Sequence, residues 1–124
     1  MTSARRTPAL APCPDTPNCV STEATQAARR MEPIPFAGEP ELAIGRLVRI
    51  VEAMPGGAVK RREPGYLHAT FTSRLLRYVD DVDLLVDPAA RVIRFRSASR
   101  VGTWDLGANR RRMREIRRRF LGDG

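Results

Sequence analysis

At 124 residues the chain is long enough to bury one hydrophobic core and too short for two domains. Apolar residues make up 42% and charged residues 29%, an ordinary globular balance, and no run approaches the roughly 18 apolar residues of a membrane-spanning helix. The formal charge of +8 points to anionic partners (phosphates, anionic lipid or acidic protein) without choosing among them.

Residues 1–38 contain six of the ten prolines and no sustained period, so they read as an extended arm laid over the domain, with at most one helical turn near residues 24–30. The start carries Arg5 and Arg6 but no apolar stretch of about 7–15 residues, the mark of an export signal. The expected location is therefore cytoplasmic as written, or periplasmic or envelope-bound if a leader belongs ahead of it. Cys13 and Cys19 stand with five residues between them in CPDTPNC, a turn-forming stretch in which a small disulfide ring can close if the Cα separation allows. In a reducing cytosol the two would instead be free thiols. A metal site needs about four ligands, and with one histidine and two cysteines none is assigned.

The first helix signal is EPELAIGRLVRIVEAMPGG, where Pro40 suits the first turn, Glu39 and Glu41 favour the positive dipole end, and Pro55, Gly56 and Gly57 end the helix. Ala43, Leu47, Ile50, Val51 and Met54 fall on one face, which should lie on a sheet. Residues 66–72 alternate, with Leu67, Ala69 and Phe71 on one face and Tyr66, His68, Thr70 and Thr72 on the other. Pro64 and Gly65 have the residue types of a type II turn, which makes 58–63 the partner strand, its Lys60, Arg61 and Arg62 suited to a sheet edge.

A second hairpin is expected about Pro88 and Ala89, with Asp87 facing Ala90. That register sets Leu84 opposite Ile93 and Val82 opposite Phe95, and on the other face Asp83 opposite Arg94 and Asp81 opposite Arg96. After Ser97 the chain turns through Gly102 and Gly107 into a last helix from about Asn109, where Met113, Ile116 and Phe120 form an apolar stripe. Seven of the 22 basic residues fall between Arg110 and Arg119 against one acid, Glu115. The fold class is thus α+β: an antiparallel sheet of about four strands with two helices on one face, spanning residues 39–121 behind the arm.

Four blocks, CPDTPNCVS, YLHATFTS, RLLRYVDDVDLLVD and RSASRVGTWDLGANRRRMREIR, resemble in the same order the pattern of the family called domain of unknown function 1499. The resemblance covers roughly residues 10–119, and its last block is the most specific part. It implies a bacterial family with plastid-type relatives, whose members are often exported or carry a membrane-spanning or lipoprotein leader, and whose activity is not established. The matching positions are Cys13, Asn18, Cys19, His68, Ser73, Asp80, Asp81, Arg96, Ser97, Ser99, Arg100, Gly102, Asp105, Gly107, Asn109 and Arg110, none of which brings a known role. Thr103 and Trp104 depart from the tyrosine and small polar residue common there.

Two uses of the last block compete. It could bind an external anion through Arg96, Ser97, Ser99, Arg100, Asn109 and Arg110 at a helix N-terminus. Alternatively, Asp80, Asp81, Asp83 and Asp105 pair with Arg94, Arg96, Arg100 and Arg110 in a structural charge network. The basic helix lacks the interleaved aromatics of a nucleic-acid reader, so it reads as a solvated face with at most non-specific attraction for nucleic acid or anionic lipid. His68 with Ser73, or the two cysteines, would be the basis of a small hydrolytic or thiol-redox enzyme, but no nucleophile and base are adjacent in sequence. Asp80, Asp81 and Asp83 lack the glycine-centred loop of a calcium site. The expected function is a non-catalytic binding or accessory domain for an anionic small molecule or a protein or envelope partner, without a cofactor.

Overall fold

The computed structural model describes residues 10–14, 16–102 and 105–122. Thr103 and Trp104, where the chain departs from the family pattern, lie outside the described residues, as do residues 1–9 of the arm.

Helix α1 (Pro40–Ala53) begins as anticipated, with Pro40 in its first turn and Glu41 near the positive end of the dipole. Ala43, Ile44, Leu47 and Val51 are its buried residues. Ile50 sits at the margin of this face, packed on the core but partly exposed, and Ile44, absent from the expected stripe, is fully buried. The helix stops where Met54 becomes extended and strand β3 (Gly57–Glu63) starts directly against it. A Cβ on Gly57 would lie 2.2 Å from the Val51 carbonyl oxygen, and one on Gly56, whose φ is +77°, 2.4 Å from the Thr72 oxygen. Only glycine permits that approach.

From β3 the chain meanders through β4 (Tyr66–Thr72), β5 (Val79–Asp87) and β6 (Val92–Ser99), all antiparallel. Gly65 has the positive φ that a type II turn needs at its third position. Strand β3 is the outer edge of the sheet, as its charges suggested, and a bulge between Val59 and Arg61 distorts it further.

The β5–β6 hairpin corrects the expected register by two residues. Asp87 pairs with Val92, the connection is the four residues 88–91, Leu84 faces Phe95 and Val82 faces Ser97. The turn decides this: the Asp87 carboxylate accepts the Ala90 N–H at 3.0 Å and Arg91 takes a left-handed φ of 59°. A slip of two residues leaves every side chain on its expected face, so alternation alone does not discriminate against it. Charge partners do change. Asp83 stands opposite Arg96 and Asp81 opposite Ala98, while Arg94 bonds Asp87 and Glu23 rather than Asp83.

The sheet has six strands rather than about four, because the arm supplies β1 (Cys19–Ser21) and β2 (Ile34–Pro35). Both pair with β6, Cys19 opposite Ala98 and Ile34 opposite Ile93, so they cover end to end what would otherwise be its free edge. Strands of three and two residues carry no readable period. Between them, the N–H groups of Arg29 and Arg30 bond the Gln26 carbonyl in a tight turn that does not extend into a helix.

Helix α2 (Ala108–Phe120) packs on the same face as α1 through Asn109, Met113, Ile116 and Phe120. Each of the three large apolar members contributes roughly 1.5–3 kcal/mol by burial. The Arg46 guanidinium of α1 stacks over the Phe120 ring and donates to its carbonyl. Most α2 arginines are engaged rather than simply solvated. Arg110 donates to the Ala28 carbonyl, Arg117 to those of Glu32 and Pro33, and Arg118 and Arg119 bond Glu115. The helix is in this way a clamp on the arm.

Candidate anion-binding cleft

The pleat of β5 and β6 puts Asp80, Ser97 and Ser99 on the helix side and Asp81, Asp83, Arg94 and Arg96 on the other. Arg100, just past β6, reaches across to Asp81 on that second side. Two polar clusters result, one per face.

On the helix side the centre is Asn109, which is fully buried. Its carbonyl oxygen accepts from the Ser97 hydroxyl at 2.6 Å and from Arg112 Nη1 at 2.8 Å. Its amide nitrogen donates to the Asn18 carbonyl at 3.2 Å, to Ser99 Oγ at 3.0 Å and to Asp105 at 2.7 Å. Asp105 also accepts the Gly107 and Asn109 backbone N–H groups, capping the start of α2, and Gly107 takes the left-handed φ that lets the chain turn in. Arg112 completes the cluster: it bonds Asp80 at 2.8 Å, with 14% and 11% of the two side chains exposed, and lies over the Phe71 ring at 4.9 Å.

On the opposite face Arg100 holds Asp81 through two bonds of 2.8 and 3.0 Å. His68 lies between two carboxylates, Nε2 at 3.2 Å from Asp81 and Nδ1 at 3.0 Å from Asp83, and Tyr66 donates its hydroxyl to Asp83. Arg96 reaches the Pro12 carbonyl at 3.4 Å and keeps a buried Nε without a hydrogen-bond partner among the described residues.

The six residues expected to bind an anion are therefore divided. Ser97, Ser99 and Asn109 meet on the helix side, Arg96 and Arg100 lie on the other, and Arg110 turns to the arm. Of the expected Asp–Arg pairs only Asp81–Arg100 forms; Asp80 takes Arg112, Asp83 takes His68 and Tyr66, and Asp105 takes N–H groups. Cys13 and Cys19 are joined in a disulfide with their Cα atoms 5.7 Å apart, tying the arm to β1. Ser73 accepts the Tyr78 N–H on the helix side, away from His68.

Beside the Asn109 cluster opens a cleft of about 1230 Å³ between the end of α1, the β4–β5 turn (73–78), the loop after β6 and the start of α2. Arg74, Arg77, Arg111 and Arg112 line it, with Asp80 and Asp105 as its two acids and Ser73, Tyr78 and Ser99 as further polar groups. Both acids are already engaged, and Arg111 donates to the Leu106 carbonyl. The Arg74 and Arg77 guanidiniums have no hydrogen-bond or ion-pair partner among the described residues. Sequence reasoning passed over SRLLRY as a connection between strands, although two arginines and two leucines in a short turn have no packing reason to be there. Arg112 also had a signal: it follows Asn109 by three residues, on the helix face that Met113 and Ile116 bury.

The ionisable groups around the sheet end set a pH window. Arg100 beside Asp81 holds that carboxyl below its ordinary range. Burial pushes Asp105 up, but hydrogen bonds from Asn109 and Gly107 outweigh it and leave the group lowered. Carboxyls lowered in the fold stabilise it above their unfolded value of 3.8, and this is lost as pH falls through the folded values. Tyr66, pushed up to about 12 by burial and by Asp83, has the opposite sign: its contribution is complete below 10.0 and is lost as pH rises towards 12. Urea midpoints measured against pH are expected to form a plateau that falls at both ends, with Asp105→Asn shallower on the acid limb and Tyr66→Phe on the alkaline limb. An alkaline limb unchanged in Tyr66→Phe would contradict the assignment.

Over the whole chain, the family model described as Protein of unknown function (DUF1499) matches residues 9–120, in agreement with the motif blocks of the sequence. No curated protein and no solved structure matches. Among the described residues, no helix is long and apolar enough to cross a membrane.

Proposed function

This chain belongs to the DUF1499 family, and from that premise we propose that it is a non-catalytic binding domain for an anionic ligand, with the cleft beside Asn109 as its site. One observation carries the proposal: Arg74 and Arg77 border a cleft whose two aspartates are already engaged, so the positive charge there has no internal match. Arginine forks suit phosphate and carboxylate oxygens through paired N–H donors. Arg112 is held rigidly by Asp80, Ser97 and Asn109, and Ser99 offers its hydroxyl beside it. A volume of 1230 Å³ exceeds the roughly 300–1,000 Å³ typical of small-molecule sites, which favours an organic anion over inorganic phosphate. Binding rather than catalysis is favoured because His68 and Ser73 are held apart and both cysteines are in the disulfide.

Thermal melts against inorganic phosphate, glycerol phosphate, nucleotides and citrate test this. At about ten times its Kd, a ligand is expected to raise the melting temperature by roughly 4–6 °C. The double variant Arg74→Ala/Arg77→Ala should lose the shift, and Arg114→Ala, exposed on α2 outside the cleft, should keep it. A panel without any shift, or a shift indifferent to the double variant, would overturn the proposal.

A further inference from the structure

Seven large apolar side chains are exposed among the described residues, and five of them stand in the two loops that border the cleft. Leu75, Leu76 and Tyr78 belong to the β4–β5 turn, Val101 and Leu106 to the loop after β6, and Leu75 is 91% exposed. The leucine pair is bracketed by Arg74 and Arg77, and the Leu106 carbonyl holds the Arg111 guanidinium. No acid lies in residues 73–78, and Asp105 across the cleft is occupied by N–H groups.

The geometry points to a docking surface for an anionic lipid bilayer at this end of the sheet. The leucines enter the boundary between headgroups and acyl chains, the arginines lie at the level of the lipid phosphates, and the cleft receives a phosphate-bearing headgroup. This rests on the cleft being an anion site and names the source of the anion. A bilayer fits better than a folded protein because the apolar side chains project from two separate loops on either side of an arginine-lined hollow. A protein interface centres instead on one well-packed apolar core. The charge is complementary to anionic phosphates, and the surface is distinct from the part of α2 that Arg110 and Arg117 commit to the arm.

Co-sedimentation of the full chain with vesicles of phosphatidylcholine alone, or with about one third phosphatidylglycerol, tests the inference. The protein should pellet with the anionic vesicles, not with phosphatidylcholine alone, and less as salt rises. Arg74→Ala/Arg77→Ala should weaken vesicle binding about 25-fold, near fivefold per arginine. Leu75→Glu/Leu76→Glu, at exposed positions that leave the core untouched, should weaken it at least as much while keeping any thermal shift with glycerol phosphate. If glycerol phosphate still shifts the melt but the anionic vesicles leave the protein in solution, docking is overturned and the cleft proposal stands. Vesicle binding equal to the parent in either double variant also overturns it. So does a lipid-free change from dimer to monomer in the leucine variant, which would make the patch a contact between copies.

Discussion

Exchange of Arg112 for methionine is expected to lower the unfolding free energy by about 3–5 kcal/mol, the usual cost of removing one partner from a buried ion pair. At the scale of this domain that is roughly 10–20 °C in Tm. Three groups lose their donor at once: the Asp80 carboxylate, the Ser97 hydroxyl and the Asn109 carbonyl. Asp80 carries most of the loss, because its side chain is only 11% exposed and water is a poor substitute. The pair itself is worth much less than its disruption. Asp80→Leu/Arg112→Met should therefore recover most of the stability while abolishing anion binding, since the charge that floors the cleft is gone. Urea unfolding with unchanged slope is the measurement. A single Arg112→Met that lost under 1 kcal/mol would show that Asp80 is satisfied by other means.

The second large effect is at Asn109. Leucine there would orphan several buried groups, among them the Ser97 hydroxyl and the Asn18 carbonyl, at about 1–3 kcal/mol each. Aspartate is the sharper test, because it is nearly the same shape. One of its oxygens would replace the amide nitrogen now 2.7 Å from Asp105, setting two carboxylates together in a dry site. A loss of about 3–5 kcal/mol at neutral pH is expected. Protonation restores a donor, so the new carboxyl titrates higher in the fold than in the unfolded chain, and its contribution is lost as pH rises. Asn109→Asp should thus gain relative stability on acidification over the range in which the parent loses it. Parallel pH profiles for parent and variant would rule out the hydrogen-bonded role of the amide.

Parts of this were legible residue by residue. The spacing of Leu47 and Val51, and of Met113, Ile116 and Phe120, identified both helices and their buried faces, because a 3.6-residue period is a local property. Alternation in β4 and β5 assigned the faces of the sheet for the same reason. The Asn109 corner was recognisable as a family signature, but its partners were not. Asn109 meets Asn18 from the arm, 91 residues away, and Arg112 meets Asp80 from β5.

The sequence by itself determined the α+β class, the face on which each strand residue lies and the family to which the chain belongs. Only the tertiary structure decided which charge meets which. Strand parity repeats every two residues, so it is blind to a shift of two, and the Asp87–Ala90 turn bond selected the register that gives Asp83 to His68 and leaves Arg94 to Asp87. The arm's two short strands and the cleft are equally non-local. Both come from segments brought together by the core, and residues such as Arg74 and Leu75 gain their meaning from neighbours that lie far from them along the chain.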